Sequence, residues 1–180
     1  MNQPAIAPAL RPEEAQETHT LSVLVDNEPG VLARVIGLFS GRGYNIDSLT
    51  VSETEHERGL SRITIVTTGT PMVIEQIKHQ LFRIVPVHRV SDLTADQRDA
   101  IERELALVKV AGSGDQRVEA LRLAQAFDAQ TIDATLESFI FEITGATSDI
   151  NRFVSLMSRI GLVEVSRTGI AAISRGAEAT

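Results

Sequence analysis

Apolar and polar positions fall into alternating periods along the first half of the chain. Across residues 19–25, Leu21, Val23 and Val25 share one side and Thr20 and Ser22 the other, which predicts a strand. Leu32, Val35, Ile36 and Phe39 then recur at helical spacing. Gly41 and Gly43 stop that helix. Residues 44–52 read as a second strand, 53–59 as a polar hairpin connection and 61–68 as a third strand. Thr70-Pro71 is a cap followed by proline at the first helical position. The helix it opens, 72–82, carries Val73, Ile74, Ile77 and Leu81 on one face. Residues 85–93 predict a fourth strand, with Pro86 suited to its start or to a sheet edge because proline cannot donate to a ladder.

The order then recurs. Residues 104–111 predict a strand, 115–127 a helix on Val118, Leu121 and Ala124, and 130–136 a strand. Residues 138–144 form another, with Phe139, Phe141 and Ile143 on one face. Residues 149–159 predict a helix on Ile150, Phe153, Val154 and Met157, and 162–173 the closing strand. Each half reads βαββαβ, so the fold class is α+β, two tandem ferredoxin-like domains. In each, both helices should cover one face of a four-stranded antiparallel sheet, joined by right-handed crossovers. The expected divisions are a flexible extension at 1–18, a first domain at 19–93, a short helical linker at 94–103, a second domain at 104–174 and a tail at 175–180.

Composition narrows the function. The 180 residues are 43% hydrophobic with a net charge of −7, ordinary for a globular protein and poor for binding nucleic acid. Cysteine is absent, which excludes disulfides, thiolate metal sites and a Cys nucleophile. No run approaches the ~18 apolar residues of a membrane span. Pro4, Pro8 and Pro12 followed by Glu13-Glu14 do not make a secretion signal, and a cytoplasmic location is expected.

No catalytic constellation emerges. Gly41-Arg42-Gly43 ends a helix, and Gly112-Ser113-Gly114 opens one without a P-loop lysine or a third glycine. His19, His56, His79 and His88 show no helical pairing with one another or with an acid, and read as surface histidines. Ser22, Ser40, Ser48 and Ser61 lack a nucleophile elbow. Glu53, Glu55 and Glu57 read as a solvated charge run. The central strands carry no aromatics, which argues against RNA recognition on this fold.

One stretch remains, Asp26-Asn27-Glu28-Pro29-Gly30-Val31-Leu32, at the first strand-to-helix junction. Taken alone it is a turn and helix-cap signal, with Asn27 or Glu28 as cap and Pro29 in the first turn. The same stretch leaves the amides of Gly30, Val31 and Leu32 open at the positive end of a helix, where a carboxylate can bind. Asn27 adds a side chain that both donates and accepts. That is the outline of a site for a free amino acid. The second half has Ala111-Gly112-Ser113-Gly114-Asp115 in its place, where a carboxylate would repel one.

With its continuation, Arg34-Val35-Ile36-Gly37-Leu38-Phe39-Ser40-Gly41-Arg42-Gly43-Tyr44-Asn45-Ile46-Asp47-Ser48-Leu49-Thr50-Val51, and with Leu60-Ser61-Arg62-Ile63-Thr64-Ile65, this stretch resembles an ACT domain, the small-ligand regulatory module. More closely, the chain resembles the regulatory (small) subunit of acetohydroxyacid synthase, also called acetolactate synthase, from about residue 19 to the end. The resemblance implies a non-catalytic subunit that activates a large catalytic subunit and confers feedback inhibition by valine in branched-chain amino-acid biosynthesis. Leucine and isoleucine offer the same polar end. It implies no cofactor in this chain and a partner carrying thiamine diphosphate, FAD and magnesium. It implies a homodimer of side-by-side ACT domains, with the effector at the interface. One subunit gives Asn27, Pro29, Gly30, Val31 and Leu32, and the other Asn45 and Ile46, with Ile46 and Leu32 lining the side-chain pocket. Ala33 stands where the family often has a small hydroxyl side chain. A free-standing amino-acid-sensing ACT protein acting on another enzyme or on transcription is the alternative, and a structural subunit with a vestigial pocket a third reading.

Overall fold

The computed structural model describes residues 15–94 and 100–177. The chain divides into two compact units, the first ending at Asp99 and the second starting at Ala100.

The N-terminal unit runs β1 (Glu17–Asp26), α1 (Val31–Arg42), β2 (Ser48–Glu55), β3 (Leu60–Gly69), α2 (Pro71–Phe82) and β4 (Val87–Asp92). Its antiparallel sheet has the order β2-β3-β1-β4, the ferredoxin-like arrangement. Leu21, Val23 and Val25 of β1 and Ile63 and Ile65 of β3 form the sheet side of the core. Val31, Val35 and Phe39 of α1 and Ile74, Ile77 and Leu81 of α2 close it, so both helices cover one face. Thr70 caps α2 as its sequence predicts, accepting from the Val73 amide at 3.4 Å. Gly43, at φ +69°, ends α1 with the Tyr44 amide bonded back to Phe39.

Several expectations change. Glu17 and Thr18 belong to β1, paired with Gly69 and Thr68, so the extension does not reach residue 18. Residues 1–14 of that extension lie outside the described residues. Residues 44–47 form a loop, and β2 starts only at Ser48. β2 also runs on to Glu55, leaving a 3₁₀ turn at His56–Arg58 instead of a long polar connection. On α1, Leu32 and Ile36 face outward at 36% and 39% exposure, because the buried stripe is Val31, Val35 and Phe39.

The C-terminal unit repeats the plan: β5 (Ala100–Ala111), α3 (Asp115–Ala126), β6 (Gln130–Ala134), β7 (Ser138–Gly145), α4 (Thr147–Met157), β8 (Leu162–Arg167) and β9 (Ala171–Ser174). Its sheet order is β6-β7-β5-β8, with β9 also on β5. Phe139, Phe141 and Ile143 point into the core as their alternation predicts, against Ile150, Phe153 and Met157 of α4. The linker expectation fails at Ala100–Arg103, which are strand paired with β9, while residues 95–99 lie outside the described residues. The single closing strand is instead two, broken after Arg167 where the Thr168 side chain and amide bond to Leu105. α3 packs on Ala120 and Ala124, leaving Val118 and Leu121 exposed, because small residues let a helix approach the sheet closely. Lys109 bonds Glu164 at 2.9 Å, and that hydrogen bond with the lysine's charge holds the Glu164 carboxyl below its ordinary range.

No helix among the described residues is long and apolar enough to cross a membrane.

Candidate functional site: the first strand-to-helix junction

Gly30 has φ +88° and ψ −9°, and the Val31 amide donates to the Glu28 carbonyl at 3.4 Å. Residues 28–31 are thus a type II turn, with proline at its second position and glycine at the third, where positive φ is required. This corrects the expected cap. Pro29 precedes the helix instead of opening it, and Gly30 is the N-cap, with no side-chain cap bond. The turn also takes up one of the three expected amides, that of Val31.

The next amide to be bonded is that of Arg34, which donates to Gly30 O at 3.0 Å. Among the described residues the amides of Gly30, Leu32 and Ala33 have no backbone partner. The sequence marks Ala33 only for its missing hydroxyl; the turn geometry adds its amide to the donors. Space above Gly30 is open, with nothing within 4 Å of a Cβ placed there. Unpaired donors, the helix's positive end and open space together suit a small carboxylate.

The loop is anchored at its root. The Asp26 amide donates to Pro86 O at 3.2 Å and the Asn27 amide to Gly59 O at 2.7 Å. Those bonds tie it to both neighbouring strand ends and leave the Asn27 side chain exposed.

Asn45 and Ile46 lie elsewhere in the unit. Thr67 Oγ1 donates to the Asn45 carbonyl at 2.6 Å, and the Asn45 side chain donates to Asp47 at 2.5 Å. Ile46 is half-buried against the core. Leu60 pairs with Asp26, so Asn45 and the loop are separated by the run of β3 from Leu60 to Thr67. At a strand's rise that is about 23 Å. The structure brings Asn27, Pro29, Gly30 and Leu32 together and does not bring Asn45 or Ile46 to them within one chain.

Two histidines read as surface residues have acidic partners. His19 is buried, with Nδ1 at 2.9 Å from Asp92, and His88 Nε2 stands 2.6 Å from Asp26 Oδ1. Both acids are more than sixty positions away in sequence, so local spacing carries no sign of them. Among the described residues no cluster of three or more histidines and carboxylates is placed to hold a metal ion.

A ferredoxin-like sheet with a Pro-Gly turn offering bare amides at its first βα junction defines an ACT-type regulatory domain. Residues 21–89 match the AHAS small subunit-like ACT domain, and residues 103–176 the family described as small subunit of acetolactate synthase. The chain belongs to the acetolactate synthase small-subunit family. It is 44% identical over 158 residues to a probable acetolactate synthase small subunit of Archaeoglobus fulgidus, covering 88% of this chain and 97% of that one. It is 45% identical over 157 residues to the isozyme 3 small subunit of Salmonella typhimurium, covering 87% and 94%. The crystal structure of the small subunit from Thermotoga maritima superposes with a TM-score of 0.81 at 39% identity, over 90% of this chain and 99% of that one.

Proposed function

We propose that this chain activates a large catalytic acetolactate synthase subunit and makes it sensitive to valine, in the cytoplasm and without catalytic groups of its own. The partner carries thiamine diphosphate, FAD and magnesium and condenses 2-oxo acids on the way to the branched-chain amino acids. The observation that carries the reading is the set of bare amides at Gly30, Leu32 and Ala33 beneath open space. They take the effector's carboxylate, and Asn27 takes its polar end, while Leu32 offers apolar surface.

The distance from this loop to Asn45 and Ile46 supports a site shared by two copies. A second chain, packed edge to edge along β2, supplies those residues and also covers the exposed strand edge. Valine then inhibits by binding more tightly to the inhibited assembly than to the active one.

The test is calorimetric titration of the chain with valine, with leucine and isoleucine alongside, in native, Gly30→Asp and Gly30→Asn forms, followed by activity with the catalytic subunit. Asparagine tolerates the positive φ and adds no charge, so it separates strain from repulsion. Saturable heat for valine, retained in Gly30→Asn and lost in Gly30→Asp with activation intact, is expected. Full valine sensitivity in Gly30→Asp overturns the site.

A further inference from the structure

The root of the effector loop is Asp26, and it is held twice, by the residue just before the edge strand β4 and by β4 itself. Pro86 O accepts from its amide, and two residues further on His88 Nε2 lies 2.6 Å from Asp26 Oδ1. His88 reaches it because of a β-bulge. Arg89 pairs with Leu24 but Val87 with Val25, which leaves His88 as the extra residue. A bulge turns a side chain away from its regular face.

The C-terminal unit repeats this backbone without the chemistry. Glu164 pairs with Lys109 but Leu162 with Val110, so Val163 is extra in β8. Gly161 O accepts from the Ala111 amide at 2.9 Å, as Pro86 O does from Asp26. Ala111 and Val163 therefore stand where the N-terminal unit has Asp26 and His88. The bulge forms without a polar pair, and the fold does not need one. The pair is found in the unit whose loop carries Pro29-Gly30, and the Asp26 carbonyl accepts at 2.9 Å from the amide of Glu28, the first residue of that turn.

We infer that His88 is a positioning residue for the effector loop: through Asp26 it sets the anchorage of the loop and the charge beside its open amides, so that a carboxylate is held more tightly when His88 carries its proton. The inference rests on the reading that this loop takes a carboxylate. Protonated, the two side chains form an ion pair without net charge. Deprotonated, they leave one negative charge at the root of a loop whose amides must take another. Histidine is the side chain that changes charge between about pH 5 and 8. The other charged groups are Glu28 in the loop, Arg34 on α1, Arg58 beside Gly59, Arg62 and Arg89 flanking Leu24, and His79 and Arg83 on α2, the helix that packs on β4; Lys78 of that helix stands at the other end of β4, 3.9 Å from Asp92. His79 is the one other histidine among them, so the control must remove His88 alone.

The experiment is titration of the full chain with valine at about pH 6 and about pH 8, native against His88→Gln and His88→Val. Alongside it, the amide resonances of Gly30 and Leu32 are followed over the same range without ligand. Glutamine keeps a donor but cannot titrate, and valine is the residue the other unit places on the same bulge. A partly exposed ion pair predicts native affinity about two- to fivefold weaker at the higher pH, and no pH dependence in either variant. The Gly30 and Leu32 resonances should move with pH in the native chain and stay still in His88→Gln. Native and His88→Gln chains with the same pH profile, or resonances that do not move in the native chain, overturn the inference. If valine gives no heat at either pH, the effector reading fails, and the ligand-free resonances still decide the role of His88.

Discussion

Arg167 grips Glu104 with two bonds, Nε to Oε1 at 2.8 Å and Nη2 to Oε2 at 2.6 Å, at the register position where Asp92 takes His19 in the N-terminal unit. Thr147 adds a hydroxyl to Glu104 at 3.3 Å, and Asn151 accepts from Arg167 at 2.8 Å. Glu104 is 5% exposed, so its charge depends on these partners. Arg167→Ala should destabilise the unit by about 3 kcal/mol, since it strands a buried carboxylate. Urea unfolding measures this, and Glu104→Leu with Arg167→Met together should recover most of the loss.

Gly161 and Gly30 make opposite predictions. A Cβ on Gly161 would collide with the Ala111 carbonyl, backbone against backbone, whereas nothing stands near one on Gly30. Gly161→Ala should therefore cost about 1–3 kcal/mol by prising β8 from β5. Gly30→Asn should cost less, by the same unfolding assay.

Phe153 is fully buried, with its ring 6.3 Å from that of Phe141 and edge to face. Phe153→Ala should cost about 3–5 kcal/mol. Val118→Ser on the outer face of α3 should stay within about 0.5 kcal/mol. If the helix were turned to bury Val118, the second change would be the costly one as well, and thermal melts of the two variants separate the cases.

Asn27 and Asn45 offer a test of the proposal that two copies share the site. Homodimers of Asn27→Ala or Asn45→Ala carry two damaged pockets each. A mixed dimer carries one pocket with both changes and one with neither. Valine titration of the mixed sample should recover binding that the separate variants lack, in proportion to the heterodimer formed.

Much of the fold can be read from residue pattern, and the failures share a cause. The alternation of Phe139, Phe141 and Ile143 and the Thr70-Pro71 cap are local signals, and local geometry obeys them. On α1 the pattern is ambiguous because Leu32 and Ile36 are as apolar as the residues that are buried. Two stripes at helical spacing were available, and the turn at Pro29-Gly30 selects the one through Val31, Val35 and Phe39. On α3 the pattern finds Ala124 but favours Val118 and Leu121 over Ala120, because alanine gives a weak apolar signal, though its smallness is what the packing uses. At the junction, Pro-Gly located the loop. Which amides stay bare depended on Gly30's positive φ, which uses up Val31 and frees Ala33. The pairs His19–Asp92 and His88–Asp26 each join β1 to β4, beyond the reach of any spacing rule.

Were the proposed site shared by two copies, the separation of the Asn27 loop from Asn45 along β3 would make detection a second-order property of the chain. If both halves are needed, occupancy follows the product of two subunit concentrations and not one. A dilute pool of this protein would be blind to its effector, and a concentrated one would respond, with no change in the pocket. The cell would then set the threshold by how much of the subunit it makes.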